Sequence, residues 1–457
     1  MPKKKTALTI EERLQQALVP AEEQPYEVPE NWVWVRLESV ASWGSGGTPS
    51  RKHEEYYNGD ILWIKTGELN NGWIYDTEEK ITDEGLKKSS AKLFPPYSVL
   101  IAMYGATIGK VAILGVPATT NQACACAVCN QSLLYMYLFY YCISQKNVFI
   151  ETGKGGAQPN ISQIILKQHP IPLPPLSEQQ RIVERIEELF AKLDEAKERL
   201  QEVADSFAVR KAAILHKAFT GELTKQWRRE NGVSDASWEE KTIGDVCTVN
   251  PKKIDAKNLD DNLEVSFVPM AAVSDIFGEI VNHEVKNLQD VRTGFTNFSE
   301  GDVIFAKITP CMENGKSAIV GPLVNDIGYG STEFYVLRCK EELYNKYLYH
   351  MVRNTTFRAE AKAVMTGAVG QQRVPKTFLQ EYQLLLPSLP EQHEIVRLID
   401  ELLARERAAQ QAAEQALASI DLMKKSILAR AFRGELGTNK ASEASALELL
   451  RQVLAEN

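Results

Sequence analysis

The sequence has no apolar run long enough to cross a membrane, and no apolar stretch follows the lysines after Met1 to form a signal peptide. Its seven cysteines are an odd number and lie mostly among apolar residues, which favours reduced thiols in a cytoplasmic protein. The net charge of −8 shows no excess of basic residues over the whole chain. Any contact with nucleic acid must therefore come from local patches or from partner subunits.

Familiar catalytic and metal-binding patterns are also missing. Cys124 and Cys126 alternate with alanine, as residues of a buried strand would, and no second Cys/His cluster lies near them. The segment 94–97 resembles the catalytic tetrapeptide of adenine methyltransferases, but Phe94 stands where a polar residue is needed, so we interpret it as a proline turn. The segment Gly105–Lys110 resembles a phosphate loop with one residue too few between its glycines, and no Ser or Thr follows its lysine.

Two stretches of the chain repeat each other in one register without a gap. The first opens PPLSEQQRIV at Pro174 and closes ILHKAFTGEL at Leu223. The second opens PSLPEQHEIV at Pro387 and closes ILARAFRGEL at Leu436. Chance could supply such a match at one end, but matches at both ends in one register indicate a duplicated unit.

Each repeat has the pattern of a long helix. From Ile182 the apolar residues recur at alternating steps of four and three, which is a heptad seam with Glu, Lys and Arg at the other positions. Ser177 with Gln180, and Ser388 with Glu391, predict capping boxes at the helix starts. The middle of the second copy is small where the first is large, and such pairing lets two facing helices pack closely.

The apolar series pauses at Arg210 and resumes at Ile214, and Gly221 and Gly434 are predicted to end the helices as C′ residues. At 1.5 Å per residue, roughly 40 residues make a rod of about 60 Å. We infer that the two rods pack antiparallel as a coiled coil. The alternative is two ordinary helices, each packed on its own domain; the sustained heptad pattern argues against it.

The regions between the rods share landmarks but differ in sequence. Each opens with a tryptophan, Trp32 or Trp238, and each carries strand patterns followed by a helix pattern. The predicted fold class is α+β, with two α/β domains separated by two long antiparallel helices in a coiled coil, and with an internal pseudo-two-fold repeat. The predicted segments are an N-terminal helical segment and linker at 1–27, the first variable region at 28–170, the first helical spacer at 171–223, a linker at 224–236, the second variable region at 237–383, the second helical spacer at 384–436 and a tail helix within 437–457.

This plan resembles the specificity (S) subunit of type I restriction-modification enzymes. The residues that carry the resemblance are Pro174–Gln179 and Ala218–Leu223, with Leu389–Gln392 and Ala431–Leu436. The resemblance is specific in the rods and weak in the variable regions. It implies that 28–170 and 237–383 are target-recognition domains, each reading half of a split double-stranded DNA site. It also implies that the paired helices act as a spacer.

The resemblance further implies two methyltransferase subunits docked on the helices and translocase-nuclease subunits joined for cleavage. This chain would then be non-catalytic and bind no metal or cofactor, whereas its partners would use S-adenosylmethionine, ATP and Mg. Two other functions stay open: a coiled-coil scaffold that touches no DNA, and an enzyme subunit with its own transferase site. The predicted subunit-docking residues, all in the repeated motifs, are Glu178, Gln179, Phe219, Glu391, Gln392 and Phe432.

Candidate DNA contacts are polar residues in loops, because Arg and Lys can bond guanine edges and Asn and Gln can bond adenine edges. Neither variable region is basic overall, which predicts weak DNA binding by the chain alone. The segment Tyr104–Lys110 could equally be a plain turn between strands. The predicted DNA-binding residues are Ser45, Thr48, Ser50, Arg51, Lys65, Thr66, Tyr104, Thr107, Lys110, Lys154, Gln158 and Asn160 in the first region, and Lys252, Lys253, Lys307, Thr309, Asn314, Lys316, Ser331, Thr332, Gln371, Gln372, Arg373 and Lys376 in the second.

Overall fold

The computed structural model describes residues 9–153, 160–256, 258–368 and 370–456. The chain divides into two units, residues 1–199 with 416–457 and residues 200–415. Each unit therefore contains one variable region, the start of one long helix and the end of the other. None of the helices in the described ranges is both long and apolar enough to cross a membrane.

The first unit is a mixed α/β globule. A five-stranded sheet has the order β2-β9-β6-β7-β4, a three-stranded sheet has the order β5-β3-β8, and β1 pairs antiparallel with β10 where the chain enters and leaves the globule. Its helices are α1 Ile10–Ala17, α2 Leu37–Val40, α3 Asp83–Lys87, α4 Tyr135–Ser144, α5 Lys146–Thr152, α6 Gln163–Gln168 and α7 Leu176–Asp205. Its strands are β1 Val33–Arg36, β2 Ala41–Ser45, β3 Tyr57–Ile64, β4 Trp73–Ile74, β5 Lys80–Ile81, β6 Val99–Ala102, β7 Val111–Leu114, β8 Thr119–Thr120, β9 Cys124–Cys129 and β10 Pro170–Leu173.

The second unit repeats this plan with two four-stranded sheets, ordered β12-β19-β16-β17 and β14-β13-β18-β15, and an entry pair of β11 with β20. Its strands are β11 Glu239–Thr242, β12 Cys247–Val249, β13 Glu264–Val268, β14 Glu284–Asn287, β15 Thr296–Phe298, β16 Val303–Ala306, β17 Ser317–Ile319, β18 Gly328–Gly330, β19 Phe334–Cys339 and β20 Gln383–Leu386. Its helices are α8 Phe207–Phe219, α9 Lys225–Glu230, α10 Ile243–Val246, α11 Leu288–Val291, α12 Asn345–Val352, α13 Thr355–Ala363, α14 Lys376–Glu381 and α15 Leu389–Phe432, the last of which ends in the first unit.

The tail returns to the first unit. Helix α16, Ala446–Glu456, packs on α1, and the Arg13 guanidinium donates to the carbonyl of Leu454 at 3.2 Å. Thr9 and Glu12 form the capping box that begins α1. The two end segments of the chain therefore share the hydrophobic core of the first globule, in which Leu14 and Leu450 are buried.

Strand β9 of the first globule is buried on both faces. Cys124 and Cys126 point into one apolar cluster, and the intervening Ala125 points into another beneath α4. Burial raises the pKa of the Cys126 thiol to about 12. The buried-strand interpretation of these cysteines is confirmed, and within the described ranges no three His, Cys, Asp or Glu side chains group as metal ligands would.

Two other predicted turns are also observed. Gly105–Thr107 lies between β6 and β7, which pair antiparallel, so the segment connects two strands. A phosphate loop instead leads from a strand into a helix, so this segment is not a phosphate loop. At the proline turn, the Ser98 hydroxyl donates to the carbonyl of Pro95 at 2.6 Å and Tyr97 has a φ of 66°.

The first rod is interrupted. Helix α7 ends at Asp205 and α8 begins at Phe207, whereas the sequence predicted one helix with a pause near Arg210. Helix α15 is continuous over 44 residues, which corresponds to about 66 Å. Both C′ predictions are confirmed, because Gly221 (φ 78°) and Gly434 (φ 74°) follow the last turns in the left-handed conformation.

The rods pair antiparallel within each unit. In the first, the Asp194 carboxylate lies 2.5 Å from the Lys424 ammonium, and the helix ends share a core through residues such as Ile182 and Leu428. In the second, Arg210 lies 2.8 Å from Glu406. The predicted coiled coil is confirmed, although Val203 and Met423, predicted for the seam, are 42% and 48% exposed.

The predicted capping boxes are wrong. Helix α7 begins at Leu176, so Ser177 lies inside the helix, and the Gln180 amide donates to Glu184. Helix α15 begins at Leu389, but the Glu391 side chain turns into the protein interior instead of back to Ser388.

Candidate nucleic-acid interface

Four predicted loops of the first globule meet at a turn that follows β8. The Asn121 amide donates to the carbonyl of Ile64 at 2.9 Å, which brings the turn beside the loop after β3. The Thr48 hydroxyl donates to Gln122 Oε1 at 2.5 Å, which adds the segment after β2. We call residues 121–123 the first turn.

The loop between β6 and β7 joins the same edge. The Met103 amide donates to the carbonyl of Ala123 at 2.9 Å, and Tyr104 forms a β-bridge with Asn160. Tyr104 is 44% exposed and Asn160 is exposed. The described predicted contacts of the first region thus converge on one edge, and they are Ser45, Thr48, Ser50, Arg51, Lys65, Thr66, Tyr104, Thr107, Lys110 and Asn160. Lys154 and Gln158 lie outside the described residues.

Two cations of this edge, Arg51 and Lys65, are already paired. Arg51 lies 2.6 Å from Glu79, and Lys65 lies 3.1 Å from Glu79 and 2.9 Å from Glu78. The hydrogen bond from Arg51 is the largest cause of the lowered pKa of Glu79. The Arg51 guanidinium also lies 4.4 Å from the centroid of Tyr57. These cations are ordered, but their charge is largely compensated.

Close packing fixes the segment after β2. A side chain at Gly46 or Gly47 would collide with the backbone of Thr120 or with Ser90. The Trp63 indole donates to the carbonyl of Gly47 at 2.9 Å. The two glycines are therefore required by close approach.

The second globule builds an equivalent edge around residues 331–333, which we call the second turn. The Lys307 amide donates to the carbonyl of Glu333 at 2.9 Å, as Met103 does to Ala123 in the first globule. Ile308 forms a β-bridge with Arg373, at the positions that match Tyr104 and Asn160.

The polar side chains of this second edge also interact with one another. Arg373 donates two hydrogen bonds of 2.9 and 2.8 Å to Glu333, and this hydrogen bonding is the largest cause of the lowered pKa of Glu333. Burial lowers the pKa of Lys307, whose ammonium lies 5.2 Å from the ring of Tyr335. Thr309 accepts from the Gln372 amide at 3.1 Å.

Other predicted residues of the second region differ in accessibility. Lys252 and Lys253 are exposed on the segment that follows β12. The Lys316 ammonium donates to the carbonyl of Met270 at 3.2 Å and is half-buried. The exposed residues Asn314, Thr332, Gln371 and Lys376 complete the set, with Ser331 half-buried beside them.

Sequence reasoning missed Asn121, Gln122, Glu79 and Glu333. The signal for the first two was available, because they align with Ser331 and Thr332, which were predicted, when β8–β9 is matched to β18–β19. The two glutamates carried no such signal, because their role depends on cations distant in sequence.

A buried carboxylate lies at the start of each rod. Glu178, in α7, accepts from Trp32 Nε1 and Asn439 Nδ2, each at 2.8 Å, and from Thr438 Oγ1 at 3.3 Å. Thr438 and Asn439 belong to the segment after the other rod. This glutamate thereby ties the entry of the globule to both helices.

Glu391 has the matching position in α15. It accepts from Arg228 Nη1 and from Thr224 Oγ1, each at 2.6 Å, and both donors again follow the other rod. The Arg228 guanidinium also donates to the carbonyl of Gly221 at 2.8 Å. We call each buried glutamate with its hydrogen-bond donors a lock. The lock of the second unit includes a cation, whereas the lock of the first unit has only the neutral donors named above.

The neighbouring glutamines are equally repeated. Gln179 accepts from the Leu134 amide at 2.9 Å and donates to the carbonyl of Ser132. Gln392 accepts from the Tyr344 amide at 2.8 Å and donates to the carbonyl of Glu342. Each glutamine fixes the segment before α4 or α12 to the rod.

Five of the six predicted docking residues are buried within this chain. Glu178, Gln179, Glu391 and Gln392 have no exposed surface, and Phe432 is 1% exposed against Tyr141. Phe219 is half-buried against Tyr347. A partner cannot reach the five buried side chains, so the repeated motifs join each globule to the helices.

Comparison with known proteins agrees with this architecture. The family model of the type I restriction modification DNA specificity domain matches residues 29–205 and again 236–416. The chain is 25% identical to the type I restriction enzyme StySPI specificity subunit of Salmonella potsdam, over 94% of this chain and 96% of that protein. It is 32% identical to the EcoEI specificity subunit of Escherichia coli, over 48% of this chain and 43% of that protein.

A solved structure has the same fold. The crystal structure of the HsdS subunit from Thermoanaerobacter tengcongensis matches with a TM-score of 0.64 at 20% identity, covering 91% of this chain and 100% of that one. The EcoEI and EcoAI alignments span only 43% and 30% of those relatives' lengths. With two matches of the family model, one in each unit, the chain belongs to the type I restriction-modification DNA specificity family.

Proposed function

We propose that this chain is the DNA sequence-specificity subunit of a type I restriction-modification enzyme. Each globule, placed by sequence at 28–170 and 237–383, reads one half of a bipartite, asymmetric site. The observation that carries the proposal is the repeated convergence of polar loops at the two turns, with different side chains on the same backbone plan.

The differences at the two turns support asymmetric recognition. The first turn offers Asn121 and Gln122, whose amides suit adenine edges, whereas the second offers Ser331 and Thr332 beside the Arg373–Glu333 pair. Hydrogen bonds to base edges supply sequence discrimination, and phosphate contacts supply most of the affinity. Two different sets of donors on one framework fit two different half-sites.

The chain acts without catalysis of its own under this proposal. Two methyltransferase subunits, and through them translocase-nuclease subunits, supply the bond-making and bond-breaking with S-adenosylmethionine, ATP and Mg. The pairing of Arg51, Lys65 and Arg373 with carboxylates compensates part of the positive charge at the edges. The isolated chain should therefore bind DNA weakly, with partners adding phosphate contacts.

Methylation mapping tests whether each globule recognises one half of the DNA site independently. Residues 28–170 are exchanged for the same region of a family member with another target, and the complex is assembled with its methyltransferase in a host. We expect one half of the methylated sequence to change and the other half to stay. A change in both halves, or methylation without sequence preference, contradicts independent reading.

Lengthening the helices tests the spacer. Half-sites read by a dimer-like protein lie about one helical turn, ~34 Å, apart. Insertion of one heptad into both rods, at exposed positions, should lengthen the unread spacer and keep both half-sites. A spacer of unchanged length would show that the rods do not set the distance between the half-sites.

Gel-shift titration of the isolated chain tests the expected weak DNA binding.

A further inference from the structure

A cavity of about 690 Å³ opens in the second unit. The segment 277–283, the loop after β17, α12 and the 400–407 part of α15 surround it. The matching place in the first unit holds a smaller cavity of about 280 Å³, lined by Trp73 and Tyr135. The matching sites therefore differ: side chains leave little space in the first unit and a larger cavity in the second.

Aromatic rings fill the matching place in the first unit. Trp73 lies 5.9 Å from Tyr135, 6.1 Å from Tyr97 and 6.1 Å from Tyr75, as measured between ring centroids. In the second unit Asn345 stands at the position of Tyr135, and Gly301 at that of Tyr97. Loss of these rings leaves the volume of the cavity.

The charge of the wall also changes between the units. In the first, Lys424 pairs with Asp194 at 2.5 Å. The matching residues in the second unit are Lys211 and Arg407, two cations. Arg407 lines the cavity, and burial together with Arg353, Arg407 and Arg358 lowers the pKa of Lys211 to about 8.

The cavity has an apolar side as well. Phe277, Ile280 and Leu403 line it, and Phe277 is 50% exposed. Gly278, with a φ of 68°, brings the loop so close that a side chain there would collide with Tyr349 and Arg353. The Arg353 guanidinium donates to the carbonyl of Asp275 at 2.8 Å, which holds the loop in this position.

The acidic groups at the site are few and one is engaged. Asp400 lies 3.1 Å from His350 Nε2, and this bond is the first cause of its lowered pKa. Glu279 is exposed and lines the cavity, as do Lys346 and Arg407. The lining holds two cations and two carboxylates, and Lys211, Arg353 and Arg358 lie behind it with Asp275, so cations still exceed carboxylates around the cavity.

We propose that this cavity binds one small organic anion per chain, a molecule with an aromatic or apolar body and a phosphate, sulfonate or carboxylate group that meets Arg407 and Lys346. Its volume lies within the range of about 300–1,000 Å³ for small-molecule sites, which combine apolar walls with few charged groups. A surface that docked two copies of one partner would be similar in both units, and this one differs. The inference is independent of the proposed function.

The test is a fluorescence titration of the full chain with 1-anilinonaphthalene-8-sulfonate, an aromatic sulfonate. We expect one saturable site, at least fivefold weaker in Arg407→Gln. Gly321→Leu should abolish it, because Gly321 lines the cavity and a side chain there meets open space. Lys424→Gln, which removes a cation from the rods of the first unit, should leave it unchanged. Circular dichroism checks that each variant is folded.

Competition separates the sources of the anion. Adenosine monophosphate should displace the probe at lower concentration than inorganic phosphate, because it offers an apolar body as well as the oxyanion. An isotherm that is the same in the wild type, Arg407→Gln and Gly321→Leu overturns the proposal. Displacement by a short DNA duplex, with none by adenosine monophosphate, also overturns it and assigns the cations to nucleic-acid phosphate.

Discussion

The two units build the same buried lock around different donors. In the first, Glu178 receives neutral hydrogen bonds from Trp32, Thr438 and Asn439; in the second, Glu391 receives a guanidinium. The repeat therefore conserves the acceptor in the helix and lets the donors diverge. A buried carboxylate needs hydrogen bonds or a counter-charge, and either can satisfy it.

The divergence leaves a trace in the second unit. Among the described residues, Trp238 Nε1 and the second oxygen of Glu391 have no hydrogen-bond partner, whereas Trp32 bonds Glu178 directly. The guanidinium of Arg228 lies 5.8 Å from the Trp238 ring. The second lock thus depends more heavily on one residue than the first lock does.

Removal of Arg228 should have the largest effect. Arg228→Ala leaves the Glu391 carboxylate buried without its cation, and breaking a buried ion pair in this way costs about 3–5 kcal/mol. Urea unfolding of the full chain should show the loss in the transition of the second unit. Arg229→Ala, at the exposed neighbouring position, is the control. Equal stability of the two variants would mean that Glu391 is satisfied without Arg228.

The first lock should be more tolerant. Asn439→Ala removes one of three neutral donors to Glu178, and a hydrogen bond to a charged group contributes about 1.5–3 kcal/mol. The same unfolding experiment should place this loss below that of Arg228→Ala. Asn147→Ala, at an exposed position of α5 in the same unit, serves as the composition-matched control. A loss larger than that of Arg228→Ala would reverse the comparison between the locks.

The recognition edges can be compared in the same way. Gln122→Ala should reduce discrimination at one position of one half-site by about 1–3 kcal/mol, the usual range for an amide–adenine contact. The measurement is competition between matched and single-mismatch duplexes for the assembled complex. Gln131→Ala changes an exposed glutamine at the opposite end of β9 and should have no effect. A loss spread evenly over both half-sites would argue for a general role of Gln122 in folding.

The smallest effect concerns the rod cations. Lys211 has a folded-state pKa of about 8, below its ordinary value, so the unfolded chain binds more protons between pH 8 and about 10.5. Stability should therefore rise with pH across that window. Lys211→Met should flatten the rise and stabilise the chain at pH 7 by about 1 kcal/mol, after allowance for partial exposure.

The matched variant Lys424→Met removes a cation that is paired with Asp194. It should leave the pH dependence between 8 and 10.5 in place and cost at most about 1 kcal/mol. If both variants flatten the curve equally, the cation-rich environment of Lys211 is not its source.

The rods illustrate which parts of the fold the sequence could predict. Their length, antiparallel pairing and ends at Gly221 and Gly434 follow from local periodicity and from the left-handed conformation that glycine favours. The interruption at Ser206 and the inward turn of Glu391 do not. Both depend on contacts with residues far away in the chain. In the second rod, Glu391 lies three residues after Ser388, which is also the spacing of a capping box, so the sequence pattern did not distinguish the two roles.

The recognition edges were likewise predicted only in part. Loops after β2, β3 and β6 were predicted from composition, and the turns bring them together. The pairing of Arg51 with Glu79 and of Arg373 with Glu333 was not foreseen, because an ion pair between distant residues leaves no periodic signal.

The sequence by itself determined the duplication, the helical rods, the two strand-rich globules and the family, because each depends on patterns within a few turns or on direct self-similarity. Only the tertiary structure determined which charged side chains of those globules are buried, paired or exposed. It placed the repeated glutamates and glutamines inside the protein, paired several candidate DNA contacts with carboxylates and left a larger cavity beside α12 than beside α4. Burial and pairing are properties of three-dimensional neighbours, and a linear pattern does not contain them.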